Sequence, residues 1–398
     1  MLRLEIAPRP NWQALAQEFG FQFHTMYGQT YWDESAYYRF TLEQIERDLE
    51  APTEEIHQMC LEVVSRVVQD EALLHQCAIP QAFWQYIQDS FQKSDPSLYS
   101  RLDFAYDGKN PAKLLENNAD TPTSVYETGF WQWLWLETQV DKYQLPRQSD
   151  QFNSLQEKLI ARFHALKQQV SSRLHFACCQ DSIEDRGTVQ YLQDCAEEAG
   201  IDCDFVFIED IGMSEDGLLT DTLDMPIYWL FKLYPWEFIF QDEYGQFLPQ
   251  QACVFVEPPW KAIVSNKALL PLLWQMYPNH PNLLPSFFEK DLAQASTIQT
   301  LVKKPFFSRE GANISIFNQN EAHGQKPAPS HTTVKSTDGP YGEEGFIYQA
   351  YHPLPKFGKH HTLIGSWLVD GQAAGISIRE DTSLITQDMS RYLPHIII

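Results

Sequence analysis

Ser100-Arg-Leu-Asp-Phe-Ala-Tyr-Asp-Gly-Lys-Asn-Pro-Ala-Lys-Leu-Leu-Glu-Asn-Asn-Ala-Asp-Thr-Pro-Thr-Ser124 is the segment that decides how this chain folds. It has the pattern of a β-hairpin, because an alternating run (101–106) is followed by turn residues (107–111) and a second short run (113–118). Side chains alternate between the two faces of a strand. Arg101 and Asp103 therefore share one face, and Glu116 and Asn118 share one face of the partner strand.

The two polar faces of this hairpin have two interpretations. If they coincide, one guanidinium, two carboxylates and one amide oxygen converge, and oxygen atoms of this kind are the ligands that Mg²⁺ takes in proteins. The alternative is a half-exposed hairpin with a solvated polar face. Polarity on one face is usual in antiparallel sheets, so the pattern alone favours the second interpretation.

Composition limits the class of protein. The 398 residues are 43% hydrophobic and 21% charged, which is typical of a soluble globular protein with more than one core-bearing lobe. The net charge of −24 disfavours nucleic acid as a partner and would favour cations such as amines, but solubility is the better explanation of the overall sign. No apolar run approaches the roughly 20 residues of a membrane span, and the N-terminus lacks the apolar core of a signal peptide. We therefore expect no membrane association and a cytoplasmic location.

The seven cysteines do not have the spacing of a zinc ribbon, and several lie in apolar runs. Buried, reduced thiols are the simplest interpretation. This pattern predicts neither structural disulfides nor a zinc site.

The order of elements predicts an α/β protein. Residues 1–150 contain helical patterns, one of which starts at a capping box, Thr41-Leu-Glu-Gln44, together with the hairpin at 100–124. Residues 151–260 follow a strand–helix–strand order that predicts a Rossmann-like lobe with a parallel sheet. This lobe lacks the Gly-x-Gly-x-x-Gly turn of a dinucleotide site, and residues 226–240 have the pattern of an aromatic helix.

Residues 261–398 contain groups that could hold a nucleotide. Lys267 precedes a short helix, Lys304 ends a strand, the loop 308–313 contains a glycine, and Arg379 lies on a late hairpin strand. A single lysine is most often a solvated surface charge, and there is no Walker-type phosphate loop. The polar segment 318–340 is expected to be flexible, either as a lid or as a plain insert.

The order of these pieces resembles an ATP-grasp domain. Across nearly the whole chain, the sequence is similar to the synthetase part of the glutathionylspermidine synthase family, and most of all to its short bacterial branch of acid–amine ligases. The motifs that carry the resemblance are Ser100-Arg-Leu-Asp103, Glu116-Asn-Asn-Ala-Asp120, Tyr234-Pro-Trp-Glu237, Asn266-Lys-Ala-Leu-Leu-Pro271, Val302-Lys-Lys-Pro305 and Ile378-Arg-Glu-Asp381. The resemblance implies an ATP-grasp fold with the Rossmann-like lobe at 151–260, the nucleotide-binding part at 261–398 and a mobile lid at 318–340.

The resemblance also implies roles for single residues. The magnesium ligands are Asp103, Glu116 and Asn118. The catalytic arginines are Arg101, which steadies the transition state, and Arg379, which contacts the reacting phosphate. The ATP-binding residues are Lys267, Lys304, Gly311, Gln349 and Arg379, with Gln349 facing adenine. The substrate-binding residues are Thr121 and Thr123 for the acid, and Glu184 and Asp185 for the amine.

The implied reaction is the joining of a carboxylate to an amine through an acyl phosphate, with ATP and two Mg²⁺ ions. Positioning and charge neutralisation carry such a reaction, so no nucleophilic triad is needed. The acid is expected to be a small, glutathione-like peptide and the amine a polyamine. Two segments depart from better-known members, Thr121-Pro-Thr123 and the residues 386–391, so neither glutathione nor spermidine is assumed.

Two other functions fit the same scaffold. One is a non-catalytic ATP-binding sensor, and the other is an ATP-grasp kinase that phosphorylates the acid and stops. The complete set of motif residues disfavours the sensor, because a lapsed site has no physical need to retain them. The chain is expected to be a monomer or a homodimer, and the resemblance does not imply the amidase activity of bifunctional family members.

Overall fold

The computed structural model describes residues 1–250, 252–319, 331–387 and 390–398. The described residues form a mixed α/β fold with several sheets. The helices are α1 Trp12–Glu18, α2 Leu42–Ile45, α3 Ala51–Val67, α4 Glu71–Gln76, α5 Trp84–Gln92, α6 Gln132–Asp141, α7 Leu155–Leu166, α8 Ile183–Glu198, α9 Trp236–Ile239, α10 Lys261–Val264 and α11 Leu269–Met276. Short 3₁₀ segments and two π-helical turns, Glu46–Glu50 and Glu127–Trp131, complete the helical structure of the described residues.

The strands belong to several sheets. They are β1 Leu2–Glu5, β2 Thr25–Met26, β3 Gln29–Thr30, β4 Ala36–Phe40, β5 Tyr99–Ala105, β6 Lys113–Asn118, β7 Leu174–Cys178, β8 Cys203–Phe207, β9 Gly212–Met213, β10 Leu219–Thr220, β11 Trp229–Leu233, β12 Val254–Val256, β13 Ser286–Phe288, β14 Thr300–Pro305, β15 Ser315–Gln319, β16 His331–Ser336, β17 Phe346–Ala350, β18 Lys356–Phe357, β19 His360–Val369, β20 Gln372–Asp381, β21 Arg391–Leu393 and β22 His395–Ile397.

Local sequence signals define several helix starts. At the start of α2, the hydroxyl of Thr41 accepts a hydrogen bond from the Gln44 amide, and the Gln44 side chain accepts one from the Thr41 amide, which confirms the predicted capping box. At the start of α8, the Ser182 hydroxyl accepts a hydrogen bond from the Asp185 amide at 3.1 Å. This cap places Glu184 and Asp185 in the first turn of α8, where acidic side chains are favoured by the helix dipole.

A four-stranded parallel sheet forms the middle of the chain. Its order is β12-β11-β7-β8, and every neighbouring pair is parallel, as the strand–helix–strand order predicts. The predicted helix at 226–240 is wrong, because this segment forms the central strand β11 and then the short helix α9. The aromatic and aliphatic residues of β11 are all buried, and a fully buried strand is a continuous apolar run that periodicity does not separate from a helix.

A larger antiparallel sheet combines distant parts of the chain. Its main path is β21-β20-β19-β5-β6, so the predicted hairpin at 100–124 pairs through β5 with the late strand β19. A second antiparallel sheet has the order β13-β17-β14-β15-β16 and carries Lys304 and Gln349. Within the larger sheet, Asp103 of β5 and Arg379 of β20 come together although they are 276 positions apart.

The predicted flexible segment at 318–340 is partly described. Residues up to Gln319 belong to β15 and residues from His331 to Ser336 belong to β16, and these strands pair antiparallel. The predicted irregular segment is therefore too long at both ends. Residues 320–330 lie outside the described residues, and the lid stays a prediction.

Among the described residues, no helix is both long enough and apolar enough to cross a lipid bilayer.

A buried ion pair joins the parallel sheet to the hairpin strand. Glu257 follows β12 and is fully buried, and its Oε1 accepts hydrogen bonds from the amides of Leu98 and Tyr99 at 2.9 Å each. Lys261 lies 2.9 Å from the other carboxylate oxygen and donates to the carbonyls of Tyr99 and Ala119. These contacts fix the start of β5 against the end of β12.

We expect Glu257→Ala to lower the free energy of unfolding by about 3–5 kcal/mol, because it leaves the Lys261 charge and two amides buried without their partner. Equilibrium unfolding in urea measures this loss. The control is Lys93→Ala, which removes an exposed pair with Asp89 at 3.7 Å and should cost less than about 1 kcal/mol. Equal losses in the two variants would contradict this interpretation of the pair.

Candidate active site

The two polar faces of the hairpin coincide. Arg101 lies opposite Asn118, and Asp103 lies opposite Glu116, so the four side chains project from the same face of β5 and β6. The Asn118 amide group lies 3.2 Å from Asp103 Oδ2 and 3.5 Å from Glu116 Oε1. The interpretation as a solvated polar face, which the pattern alone favours, is wrong, because every residue of β5 is buried.

Asp103 is the centre of this cluster and has no exposed surface. Arg101 Nε donates to its Oδ1 at 2.8 Å, and Arg379 Nη2 donates to its Oδ2 at 2.5 Å. Arg379 comes from β20, on the far side of β19 from β5. Burial of a carboxylate is costly unless the charge is paired, and here two guanidinium groups pair with it from opposite sides.

The neighbouring strand β19 shapes the space around Arg101. A Cβ atom on Gly365 would lie 2.7 Å from Cδ of Arg101 and 2.6 Å from the Ser377 hydroxyl, so the absence of a side chain there lets Arg101 cross the sheet. The guanidinium lies 5.6 Å from the ring centre of Trp367. Its Nη1 donates to the carbonyl of Thr123 at 3.0 Å. Burial opposes the charge of Arg101, but Asp103 raises its pKa above the usual value.

Glu116 lies between cations from the C-terminal part of the chain. Lys267 Nζ is 3.2 Å from Glu116 Oε2 and also donates to the carbonyl of Ser308 at 2.9 Å. Burial favours the neutral acid, but the charges of Lys267, Lys304 and Arg379 together lower the pKa of Glu116. Glu116 is therefore a carboxylate at neutral pH.

Lys304 is held by Gln349 and by the hairpin. Its Nζ donates to Gln349 Oε1 at 2.8 Å and to the carbonyl of Leu115 at 2.8 Å, while Gln349 Nε2 donates to the carbonyl of Leu114 at 3.2 Å. Both polar ends of Gln349 are thus engaged in positioning Lys304, and its contact with adenine stays a prediction. Burial lowers the pKa of Lys304 to about 8, against the opposing effect of Glu116.

A cavity of about 650 Å³ opens onto this cluster. The predicted residues that line it are Arg101, Glu116, Asn118, Thr121, Thr123, Glu184, Asp185, Lys267, Lys304, Gly311, Gln349 and Arg379. Asp103 does not line it, because it lies beneath the two arginines and Asn118. Arg379 Nε is buried and has no hydrogen-bond partner among the described residues, which leaves a donor for an anionic group.

The loop 308–313 contributes a residue that sequence reasoning missed. Arg309 donates to the hydroxyl of Thr121 and, at 2.9 Å, to Glu237 Oε1, so it connects the loop to both the hairpin and α9. Gly311 has a φ of 69°, and a Cβ there would lie 2.3 Å from the carbonyl oxygen of Thr386. The signal for Arg309 was its place in the predicted glycine loop, and the signal for Glu237 was its motif, Tyr234-Pro-Trp-Glu237.

The other wall of the cavity is acidic. Asp181, Glu184 and Asp185 line it near the start of α8, and burial raises the pKa of Asp185 to about 6. Behind them, the Tyr31 hydroxyl lies 2.6 Å from Glu127 Oε1 and 3.3 Å from Glu184 Oε1. Sequence analysis did not identify Tyr31 or Glu127 as part of this wall.

The residues present fit a magnesium ion. Asp103, Glu116 and Asn118 supply carboxylate and amide oxygens on adjacent strands, which is the donor chemistry that Mg²⁺ requires. The assigned orientation of the Asn118 amide turns its nitrogen towards the carboxylates, and a flip of this group would present its oxygen instead. The buried position of Asp103 makes Glu116 and Asn118 the donors that face the cavity.

The whole chain was compared with known protein families. The model described as "Glutathionylspermidine synthase preATP-grasp" matches residues 3–398. The chain belongs to the glutathionylspermidine synthase family. This confirms the family resemblance, and because the family and its relatives form C–N bonds, the chain is an enzyme of the ligase class, as predicted.

Individual relatives align with most of the chain. A Haemophilus influenzae protein named "Putative acid--amine ligase" is 38% identical over 401 residues, which are 97% of both chains. Trypanothione synthetase of Crithidia fasciculata is 25% identical over 83% of this chain, and the bifunctional glutathionylspermidine synthetase/amidase of Escherichia coli is 26% identical over 91%. The matches cover 52% and 59% of these two longer proteins.

The fold also resembles a solved structure. A glutathione synthetase-like effector from Globodera pallida, in its apo form, aligns with a TM-score of 0.53 over 99% of this chain and 100% of its own, at 8% identity. At that identity the likeness concerns the fold alone, and it is consistent with an ATP-grasp type of fold.

Replacing Glu116 by Gln should lower the pKa of Lys304 below about 8, because Glu116 is the largest influence that raises it. NMR titration of reductively methylated protein measures this pKa, and the resonance that is missing in Lys304→Arg assigns it. Glu71→Gln, on exposed helix α4, is the control and should leave the titration unchanged. An unchanged Lys304 pKa in Glu116→Gln would show that the two groups are not coupled.

Proposed function

We propose that this enzyme is an ATP- and Mg²⁺-dependent carboxylate–amine ligase that forms an amide bond through an acyl phosphate. The observation that carries the proposal is the convergence, around one cavity, of the oxygen donors of the hairpin with Arg101, Lys267, Lys304 and Arg379. The four cations exceed the two carboxylates of the cluster, Asp103 and Glu116, so the site has a local excess of positive charge. Such a site suits a polyphosphate.

The chemistry requires an activated acid. A carboxylate oxygen of the acid attacks the γ-phosphorus of ATP, ADP leaves, and the amine then displaces phosphate from the acyl carbon. Bound Mg²⁺ would neutralise charge on the phosphates, held by Glu116 and Asn118 with Asp103 beneath them. Lys267 and Lys304 are placed to bind phosphate oxygens, and the free Nε of Arg379 is placed to donate to the group that is transferred.

Arg101 is positioned for the acyl group. It lines the cavity, yet Asp103, Trp367 and the Thr123 carbonyl fix its orientation before any substrate binds. A donor that is already oriented stabilises developing negative charge without reorganisation. Thr121 and Thr123 lie beside it, so the acid is proposed to bind along 121–123.

The acidic wall suits a cationic amine. Asp181, Glu184 and Asp185 line the cavity at the start of α8, and the lysines proposed to bind phosphate line the same cavity. Carboxylates in a partly buried site attract an ammonium group more strongly than they would in water. We propose a polyamine as the amine and a small, glutathione-like peptide as the acid, which are the substrate types in the names of the longer relatives.

The functional division of the chain follows from the same proposal. Residues 151–260 would form the Rossmann-like lobe that carries the acidic wall, and residues 261–398 would bind the nucleotide. The lid predicted for 318–340, of which residues 320–330 lie outside the described residues, would keep water from the acyl phosphate. The kinase alternative shares the phosphate site but makes no use of the acidic wall.

The experiment that tests the function is ADP release by the purified chain with ATP, Mg²⁺ and pools of small acids and amines. We expect release to require both substrates and the product mass to equal acid plus amine minus water. Release with acid alone would favour the kinase, and tight ATP binding without turnover would favour the sensor.

The variant that tests the metal site in this assay is Glu116→Gln. It removes the carboxylate that faces the cavity and keeps a side chain of the same size. We expect at least a 100-fold loss of turnover with a circular dichroism spectrum like that of the parent chain. Turnover at the parent rate would contradict the proposed metal site.

A second expectation concerns pH and the amine. Asp185 is charged above its pKa of about 6 and neutral below it, so the KM for the amine should rise as the pH falls through about 6. Asp185→Asn should raise the KM at pH 7.5 and remove this inflection. The control is Asp210→Asn, which lies outside the cavity lining, and a KM profile that Asp185→Asn leaves unchanged would exclude Asp185 from amine binding.

A further inference from the structure

A second cluster of ligand-type side chains lies near the amino ends of strands β7 and β8. His175 in β7 pairs in register with Asp204 in β8, so the two residues are neighbours on adjacent strands. Asp221 reaches them from the turn that follows β10. One ligand atom from each of His175, Asp204 and Asp221 lies within 4.8 Å of the other two. The acidic wall, by contrast, follows the carboxyl end of β7.

The buried imidazole is the unusual member of this cluster. His175 is 4% exposed, and neither of its ring nitrogens has a hydrogen-bond partner among the described residues. Its Nε2 lies 3.5 Å from Asp221 Oδ2, which is long for a hydrogen bond. Two ligands on a tetrahedral ion with bonds of about 2.1 Å are separated by roughly 3.4 Å, so this spacing suits two ligands of one ion.

The backbone holds Asp221 in place. Its Oδ1 accepts hydrogen bonds from the amides of Leu223 and Met225 at 2.8 and 2.9 Å, which leaves Oδ2 directed towards His175. The ion-pair partner of Asp204 is Arg173, which also pairs with Asp202. Asp202 and Asp204 share one arginine, and Asp221 lies beside His175, so the three carboxylates outnumber the single guanidinium and leave a negative charge that a divalent cation would neutralise.

We propose that His175, Asp204 and Asp221 form a binding site for a divalent transition-metal ion of the zinc type. One imidazole nitrogen and two carboxylates suit Zn²⁺ better than Mg²⁺, which prefers oxygen ligands alone. No cysteine takes part, so cysteine spacing could not predict this site. The ion ties the 221–225 turn to the amino end of β7, whereas the acidic wall of the cavity follows the carboxyl end of that strand, so its role is structural.

Zinc binding to the full-length chain tests the proposal. After chelator treatment, the protein is titrated with Zn²⁺ in millimolar Mg²⁺, so that Mg²⁺ competes at the hairpin site. We expect one Zn²⁺ to bind, and Asp221→Asn and Asp204→Asn each to weaken it at least 10-fold. Asp221→Asn keeps an oxygen that can accept from Leu223 and Met225, so the turn is retained.

Two controls separate this site from others. Asp202→Asn removes an aspartate that pairs with Arg173 but lies outside the cluster, and Glu116→Gln alters the hairpin site. Both should bind Zn²⁺ like the parent chain. At 100 times its Kd, Zn²⁺ should also lower the unfolded-to-folded ratio of the parent about 100-fold, which a urea titration measures. Absence of zinc binding, or zinc binding that neither cluster variant weakens, would overturn the proposal.

Discussion

A carboxylate without any exposed surface, Asp103, is the constraint on which the catalytic half of this structure depends. Such a charge is tolerated only when it is paired, and its partners are Arg101 from its own strand and Arg379 from β20. Because the loss of one partner from a buried pair costs about 3–5 kcal/mol, the pairing holds the hairpin against the late strands. The same contacts orient both arginines at the cavity. The pairing of Asp103 with two arginines thus both holds the hairpin in the sheet and orients the arginines of the proposed site.

The local charge of the site is opposite in sign to the net charge of the protein. The chain carries a net charge of −24, yet the cluster around Glu116 contains more cations than carboxylates. Burial lowers the pKa of Lys304 to about 8, and Glu116 opposes this effect. This cationic cluster and the carboxylates of the acidic wall line one cavity, so the cavity presents both signs of charge.

Sequence patterns predicted the helices and strands better than the contacts between them in the folded structure. The hairpin, the parallel sheet and the capping box at Thr41 follow from spacing and residue type, which act over a few positions. The strand β11 was mistaken for a helix, because a fully buried strand lacks the alternation that identifies one. Arg309 was missed although it lies in the predicted loop 308–313, and the cluster of His175, Asp204 and Asp221 was missed because single histidines and aspartates carry no local pattern.

The sequence by itself determined which side chains share a face of each strand, and, through its motifs, the family to which the chain belongs. Only the tertiary structure decided that Asp103 is buried, because β19 pairs with β5 and the next strand, β20, brings Arg379 to Asp103 from 276 positions away. It also decided that Asp103 lies beneath the arginines while Glu116 and Asn118 face the cavity. Alternation along a strand is local chemistry, whereas burial depends on what the remainder of the chain places against it.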